Sequence, residues 1–155
     1  MMNVKWLVSL SNREEDTVKR VMTSPVITME SKSPVRSVAR MMVKHDVGSI
    51  VLMDGKKPVG IITERDITKH SIKGDGALKD PAKKVMTKAL ITAPPTMPVQ
   101  QAFELMLENK IRRLLVIDEK KMVGIVTERD LMRWVLRVSY EPNIPKHIQM
   151  ILDAQ

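Results

Sequence analysis

Gly60-Ile61-Ile62-Thr63-Glu64-Arg65-Asp66 returns 64 positions later as Gly124-Ile125-Val126-Thr127-Glu128-Arg129-Asp130. The same offset, without a gap, aligns Val21-Met22-Thr23 with Val85-Met86-Thr87, Ile27-Thr28 with Ile91-Thr92, and Pro34-Val35 with Pro98-Val99. It also aligns Asp54 with Asp118 and Lys56-Lys57 with Lys120-Lys121. Between residues 21–67 and 85–131, 18 of 47 positions are identical, far more than chance supplies. The chain is a tandem duplication, so whatever one copy folds into is built twice. The period is longer than that of the common solenoid repeats, which points to two units rather than an array.

The two copies differ in an informative way. Apolar positions are exchanged among similar residues: Met41 for Leu105, Ile62 for Val126, Met53 for Ile117. Packing requires no more than that. Thr-Glu-Arg-Asp is kept letter for letter, just after an apolar run, where a strand should hand over to a helix. Two readings are open. Thr63 and Thr127 are N-caps with acidic side chains in the first turn, or the motif is a ligand site that also uses the cap. Capping accepts Ser, Asp or Asn as well and needs no Arg-Asp pair, which favours the second reading.

Residues 1–15 lie outside the repeat, and Met2–Leu10 is a short mixed segment that could be helix or edge strand. Asp16 opens a short helix through Val21-Met22, and Ser24-Pro25 stops it, since a residue before proline avoids the α region. Val26–Thr28 reads as a strand. Ser33-Pro34 starts a helix, with Val35, Val38, Met41, Met42 and His45 at helical spacing. His45 at its end is a dipole partner, not a ligand. Gly48–Met53 is a buried strand, Asp54-Gly55 a hairpin turn, and Pro58–Ile62 the returning strand. Thr63 begins a helix to about Ile72, and Lys73–Gly76 links the copies.

The second copy repeats the order. Asp80-Pro81 opens a short helix and Leu90–Thr92 is a strand. Met97-Pro98 opens a helix with Val99, Ala102, Phe103, Met106 and Leu107 on one face. Arg113–Ile117 and Met122–Val126 form a hairpin, and Thr127 starts a longer helix toward Val138. Pro142 and Pro145 end it, and Lys146–Leu152 has the pattern of a last amphipathic helix. The expected fold class is α/β, of the α+β kind: tandem β-α-β-β-α units packed about a pseudo-two-fold axis. The expected boundaries are an N-terminal extension at 1–15, repeats at 16–73 and 80–138, and a C-terminal extension at 139–155.

Composition narrows the function. With no cysteine the chain has no disulfide or thiol chemistry, which suits a cytoplasmic protein. Three His and no Cys argue against a structural zinc site, so no metal is expected. No apolar run approaches the roughly 20 residues that cross a bilayer. A formal charge of +8 calls for an anionic partner, either nucleic acid or a phosphorylated small molecule. No nucleophile–base pair, metal cluster or pair of acids appears, so no catalytic site is expected.

The doubled Gly-x-x-Thr-x-x-Asp, the Val-Met-Thr leaders and the β-α-β-β-α order together resemble the CBS domain family, whose paired copies form a Bateman module. The resemblance covers about residues 16–138. It implies an adenosine ligand: AMP, ADP or ATP, with S-adenosylmethionine or an NAD derivative as alternatives. It also implies that the aspartate accepts both ribose hydroxyls, with the threonine and helix N-terminus near phosphate. One cleft would join Thr63, Arg65 and Asp66 to Lys88, Ala89, Leu90 and Ile91 and to Arg112 and Arg113. The other would join Thr127, Arg129 and Asp130 to Ser24, Pro25, Val26 and Ile27 and to Gly48 and Ser49. On this reading the Asp66 cleft is rich in positive charge and the Asp130 cleft poor in it.

The function so implied is a nucleotide-binding regulatory sensor, homodimeric, with Met132, Val135 and Leu136 lining the dimer contact and a downstream protein partner unspecified. Two alternatives stay open. Nucleic-acid binding fits the charge but lacks a recognition helix and aromatic interleaving. A purely structural dimerisation module fits the repeat alone.

Overall fold

A computed structural model of the chain describes residues 16–74, 76–140, 149–150 and 153. The expectations for Met2–Leu10 and Lys146–Leu152 fall outside the described residues or only partly within them. The elements in order are α1 (Val18–Val21), β1 (Thr28–Glu30), α2 (Val35–His45), β2 (Ser49–Asp54), β3 (Lys57–Thr63) and α3 (Glu64–Ser71). Two single 3₁₀ turns follow, Ala77–Lys79 and Ala82–Lys84. Then come β4 (Thr92–Ala93), α4 (Val99–Glu108), β5 (Arg113–Asp118), β6 (Lys121–Thr127) and α5 (Glu128–Tyr140).

Each copy makes a three-stranded mixed sheet. In the first, β1 runs parallel to β2, and β2 antiparallel to β3, with Ile50 opposite Ile62. In the second, β4, β5 and β6 repeat that pairing, with Leu114 opposite Val126. The first strands begin later than the sequence suggested, at Thr28 and Thr92. Ile27 and Ile91 still join the sheet through their carbonyls, which accept from Val51 N at 3.3 Å and Leu115 N at 3.2 Å. The turn at Asp54-Gly55 uses Gly55 at φ 59°, while the second hairpin places Glu119 and Lys120 in the left-handed region without a glycine.

Helices α2 and α4 show how the periodicity works. Val35, Val38 and Met42 are buried on one, and Val99, Ala102 and Met106 on the other. The spacing i, i+3, i+7 puts them on one stripe. Leu107, expected on the buried face, is 49% exposed, because it falls one position past that stripe. Neither helix has a side-chain N-cap; Pro34 and Pro98 occupy that position. The first free amides are met instead by main-chain carbonyls: Val35 N donates to Asp80 O at 2.9 Å, and Val99 N to Asp16 O at 3.0 Å.

The chain forms two compact units, and they cut across the order of the repeat. One unit is residues 26–90; the other combines the chain up to Pro25 with the chain from Ile91 onward. The first Val-Met-Thr leader therefore belongs with the second sheet, and the second leader with the first sheet. Thr23 and Ile125 exchange two backbone hydrogen bonds of 2.8 and 3.1 Å, as Thr87 and Ile61 do at 2.9 and 3.0 Å. Val18 is fully buried among Val99, Leu114, Leu131 and Trp134, and Ala82 among Val38, Ile50 and Ile62. Burying each large core side chain is worth about 1.5–3 kcal/mol.

In the unit of residues 26–90, α3 is tied to the second leader by a polar cluster. His70, 8% exposed, places Nε2 3.0 Å from Asp80 Oδ2, and Lys84 Nζ donates to Asp80 Oδ1 at 2.8 Å. The hydrogen bond from Lys84, then that from His70, hold the Asp80 carboxyl below its ordinary value of 3.8. A carboxylate with a lowered folded pKa contributes stability above its unfolded pKa and loses it as pH falls through the folded value. Asp80→Asn is therefore expected to melt lower than the parent at neutral pH. The difference should close as pH falls below about 3.8. A constant difference across that window in a pH series of melts would assign the cluster no electrostatic part.

Candidate ligand site

The retained motif forms the same structure twice. Thr63 leaves β3 with extended backbone (φ −118°, ψ 163°) and caps α3. Its Oγ1 accepts from Asp66 N at 3.3 Å and donates to Asp66 Oδ2 at 2.7 Å. The same Oδ2 accepts from Thr63 N at 2.9 Å, closing a capping box. At the head of α5, Thr127 and Asp130 repeat all three bonds at 3.3, 2.7 and 2.8 Å. In both copies Oδ1 of the aspartate takes no part in the box. Capping is thus real, and it occupies half of each carboxylate.

Two further segments converge on each box within its own unit. At the strand start, Gly48 O accepts from Glu64 N at 3.3 Å, and Ser49 pairs with Thr63 in the ladder. The leader runs alongside through the Thr87–Ile61 bridge, so Lys88, Ala89 and Leu90 leave from a point two residues before Thr63. In the other unit, Arg112 O accepts from Glu128 N at 2.9 Å and Arg113 pairs with Thr127. There the Thr23–Ile125 bridge delivers Ser24 and Pro25. Val26 and Ile27 belong to the Asp66 unit and Ile91 to the Asp130 unit. Arg65 and Arg129 are exposed on the first turns. The Arg112 guanidinium lies 3.5 Å from Glu128 Oε2, an exposed pair that is worth little.

The glycine of the motif has a packing reason. A Cβ on Gly60 would stand 2.4 Å from Met86 Sδ, and one on Gly124 would stand 2.4 Å from Met22 Sδ. The leader methionines lie directly on these strands, which is why Gly and Val-Met-Thr recur together.

The CBS domain model matches residues 18–73 and again 82–137. This chain belongs to the CBS domain family. The CBS domain-containing protein YhcV of Bacillus subtilis is 32% identical over 115 residues, 74% of this chain and 82% of that protein. The CBS domain pair of protein MJ0100, solved in complex with 5-methylthioadenosine and S-adenosyl-L-methionine, is 31% identical. It superposes with a TM-score of 0.70 over 77% of this chain and 94% of that one. The CBS domain protein PAE2072 from Pyrobaculum aerophilum, complexed with AMP, is 26% identical with a TM-score of 0.67, covering 88% of this chain and 97% of that one.

The CBS pair also carries residues that sequence reasoning missed. Asp130 lines a recess of about 220 Å³ with Arg20, Val21, Thr23, Arg133, Trp134 and Arg137. Asp130, Arg133, Trp134 and Arg137 follow one another at i, i+3, i+4 and i+7, one stripe of α5. That spacing was available in the sequence; what it did not supply was the leader helix α1 laid against the stripe. Among the described residues no group of three or more His, Cys, Asp or Glu could hold a metal, and no helix is long and apolar enough to cross a membrane.

Proposed function

We propose that this CBS pair is a non-catalytic regulatory module that binds an adenosine ligand and passes its binding state to a partner. The observation that carries the reading is the doubled box. Each aspartate spends Oδ2 on the cap and keeps Oδ1 outside it, at a helix N-terminus beside an extended leader segment. A carboxylate so oriented is an acceptor for paired hydroxyls such as those of ribose, and the adjacent amide end of the helix favours phosphate. The adenosine compounds named with MJ0100 and PAE2072 support the same ligand class.

Thr63, Arg65 and Asp66 with Lys88–Leu90 form one ligand-binding set. Thr127, Arg129 and Asp130 with Ser24 and Pro25 form the other. Calorimetric titration of the full chain with AMP, ATP and S-adenosylmethionine tests the reading. At least one is expected to bind saturably and raise the melting temperature, because ligand at about 100 times Kd stabilises by ~2.7 kcal/mol. No heat and no shift with any of the three would sink it. Retention of a nucleic acid in filter binding, steeply lost with salt, would move the assignment to that class.

We also propose a homodimer. Met132 is 50% exposed on α5 and Leu136 is partly exposed, whereas Val135, first placed with them, is 7% exposed and belongs to the core of its own unit. Sedimentation velocity is expected to give twice the 17.6 kDa chain mass. A single species at chain mass in concentrated solution would exclude it.

A further inference from the structure

We propose that the shallow apolar groove between α4 and α5 seats the chain's own N-terminal segment, with Trp6, Leu7, Val8 and Leu10 laid across it. Val99 and Phe103 of α4 and Leu131, Trp134 and Val135 of α5 line the groove. Its volume, about 10 Å³, is far below the roughly 300–1,000 Å³ of small-molecule sites. A groove of that depth is filled by side chains laid over it, not by a ligand sunk into it.

The duplication shows what covers the same place in the other unit. There the turn Ala77–Lys79, which precedes the second leader, packs against both α2 and α3, and Ala77 is buried. The chain then passes through Asp80, whose carbonyl accepts from Val35 N at 2.9 Å at the head of α2. At the 64-residue offset Asp80 corresponds to Asp16, whose carbonyl accepts from Val99 N at 3.0 Å at the head of α4. Both leaders arrive by the same route. Val99 lines the groove, so the residues before Asp16 start at its edge.

The cover must differ between the units, because the faces differ. Ala39, His70 and Ser71 of the first copy are Phe103, Trp134 and Val135 in the second, each larger and more apolar. The counterparts of Ala77–Lys79 are Arg13, Glu14 and Glu15, whose charges are costly to lay on an apolar surface. The first large apolar residues upstream are Leu10, Val8, Leu7 and Trp6. Leu10 precedes Asp16 by six positions, a reach of up to roughly 20 Å, whereas Val99 to Glu104 rises only about 7.5 Å along α4. The tether also holds the segment at high effective concentration, an advantage that a second copy lacks. The chain after Tyr140 begins with Glu141–Pro145, where Ile144 is the one large aliphatic residue. Met132 and Leu136, assigned above to the dimer contact, do not line the groove.

The test uses the full chain, whose two tryptophans are Trp6 and Trp134. Subtracting the emission of Trp6→Phe from that of the wild type isolates Trp6. Its emission is expected at shorter wavelength than in urea, with most of the acrylamide quenching lost. Phe103→Ser should shift it back to longer wavelength, and Ala39→Ser, at the matching position of the other unit, should not; melts confirm folding. The chain has no cysteine, so Ser9→Cys with Glu104→Cys can be joined by a short bismaleimide. That crosslink leaves Phe103 intact and decides the matter even where Phe103→Ser unfolds. A product of single-chain mass is expected, and Ser9→Cys with Arg40→Cys, the matching pair in the other unit, should give none. Trp6 emission and quenching equal to those in urea, or unmoved by a folded Phe103→Ser, overturn the proposal. So do crosslinks that form only between chains, which would assign the groove to a second copy, no crosslink at all, or equal yield in the Arg40→Cys control.

Discussion

Gly124→Ala is expected to destabilise the protein by about 1–3 kcal/mol, the usual cost of forcing a methyl group into a filled space. The added Cβ would meet Met22 Sδ at 2.4 Å, Cγ at 2.9 Å and Cβ at 3.2 Å. The adjacent Thr23 is bonded in both directions to Ile125, which fixes the main chain that carries Met22, so relief requires its side chain to leave its present rotamer. Gly60→Ala should cost at least as much, since the obstruction there includes the main-chain oxygen of Thr87 at 3.0 Å as well as Met86 Sδ and Cγ. Urea unfolding of single and double variants reads the result. Met22→Ala should relieve Gly124→Ala and leave Gly60→Ala unrelieved, and Met86→Ala should do the converse, because coupling is confined to residues in contact. Relief in the opposite pairing would mean that each leader packs on its own copy.

Asp130→Ala and Asp66→Ala are each expected to weaken adenosine-ligand binding by about 1.5–3 kcal/mol, the range for a hydrogen bond to a charged acceptor. Oδ2 also closes the capping box with Thr63 or Thr127, so each alanine variant should lose about 0.5–2 kcal/mol of stability without ligand. Asparagine separates the two roles. Its carbonyl oxygen can still accept from the threonine amide and hydroxyl, so Asp130→Asn should keep most of the stability while losing the charged acceptor. Calorimetry with AMP alongside thermal melts is the measurement. Asparagine variants that bind as the parent does, with alanine variants that only lose stability, would make the aspartates structural.

Much of this was legible because short-range patterns determine short-range structure. Thr63 and Thr127 stand between an alternating apolar run and acidic residues three positions on, and that arrangement specifies an N-cap whatever the rest of the chain does. The hairpin at Asp54-Gly55 and the stripes Val35-Val38-Met42 and Val99-Ala102-Met106 are equally local. The recess was half legible: the spacing of Asp130, Arg133, Trp134 and Arg137 lies in the sequence, but the partner surface of α1 comes from more than a hundred residues earlier.

The repeat by itself determined that two like units form, where the two hairpins and the longer helices fall, and that a cap begins each motif helix. It did not determine which leader serves which sheet. Val-Met-Thr is identical at 21–23 and 85–87, and Gly60 and Gly124 are identical hosts, so own-copy and exchanged packing satisfy the same local pattern. Only the tertiary structure chose, by joining Met22 to Gly124 and Met86 to Gly60. The same choice decided the charges. It put Arg20 in one recess with Arg133 and Arg137 in one unit, and in the other it brought His70 to Asp80, which already holds Lys84 from its own segment.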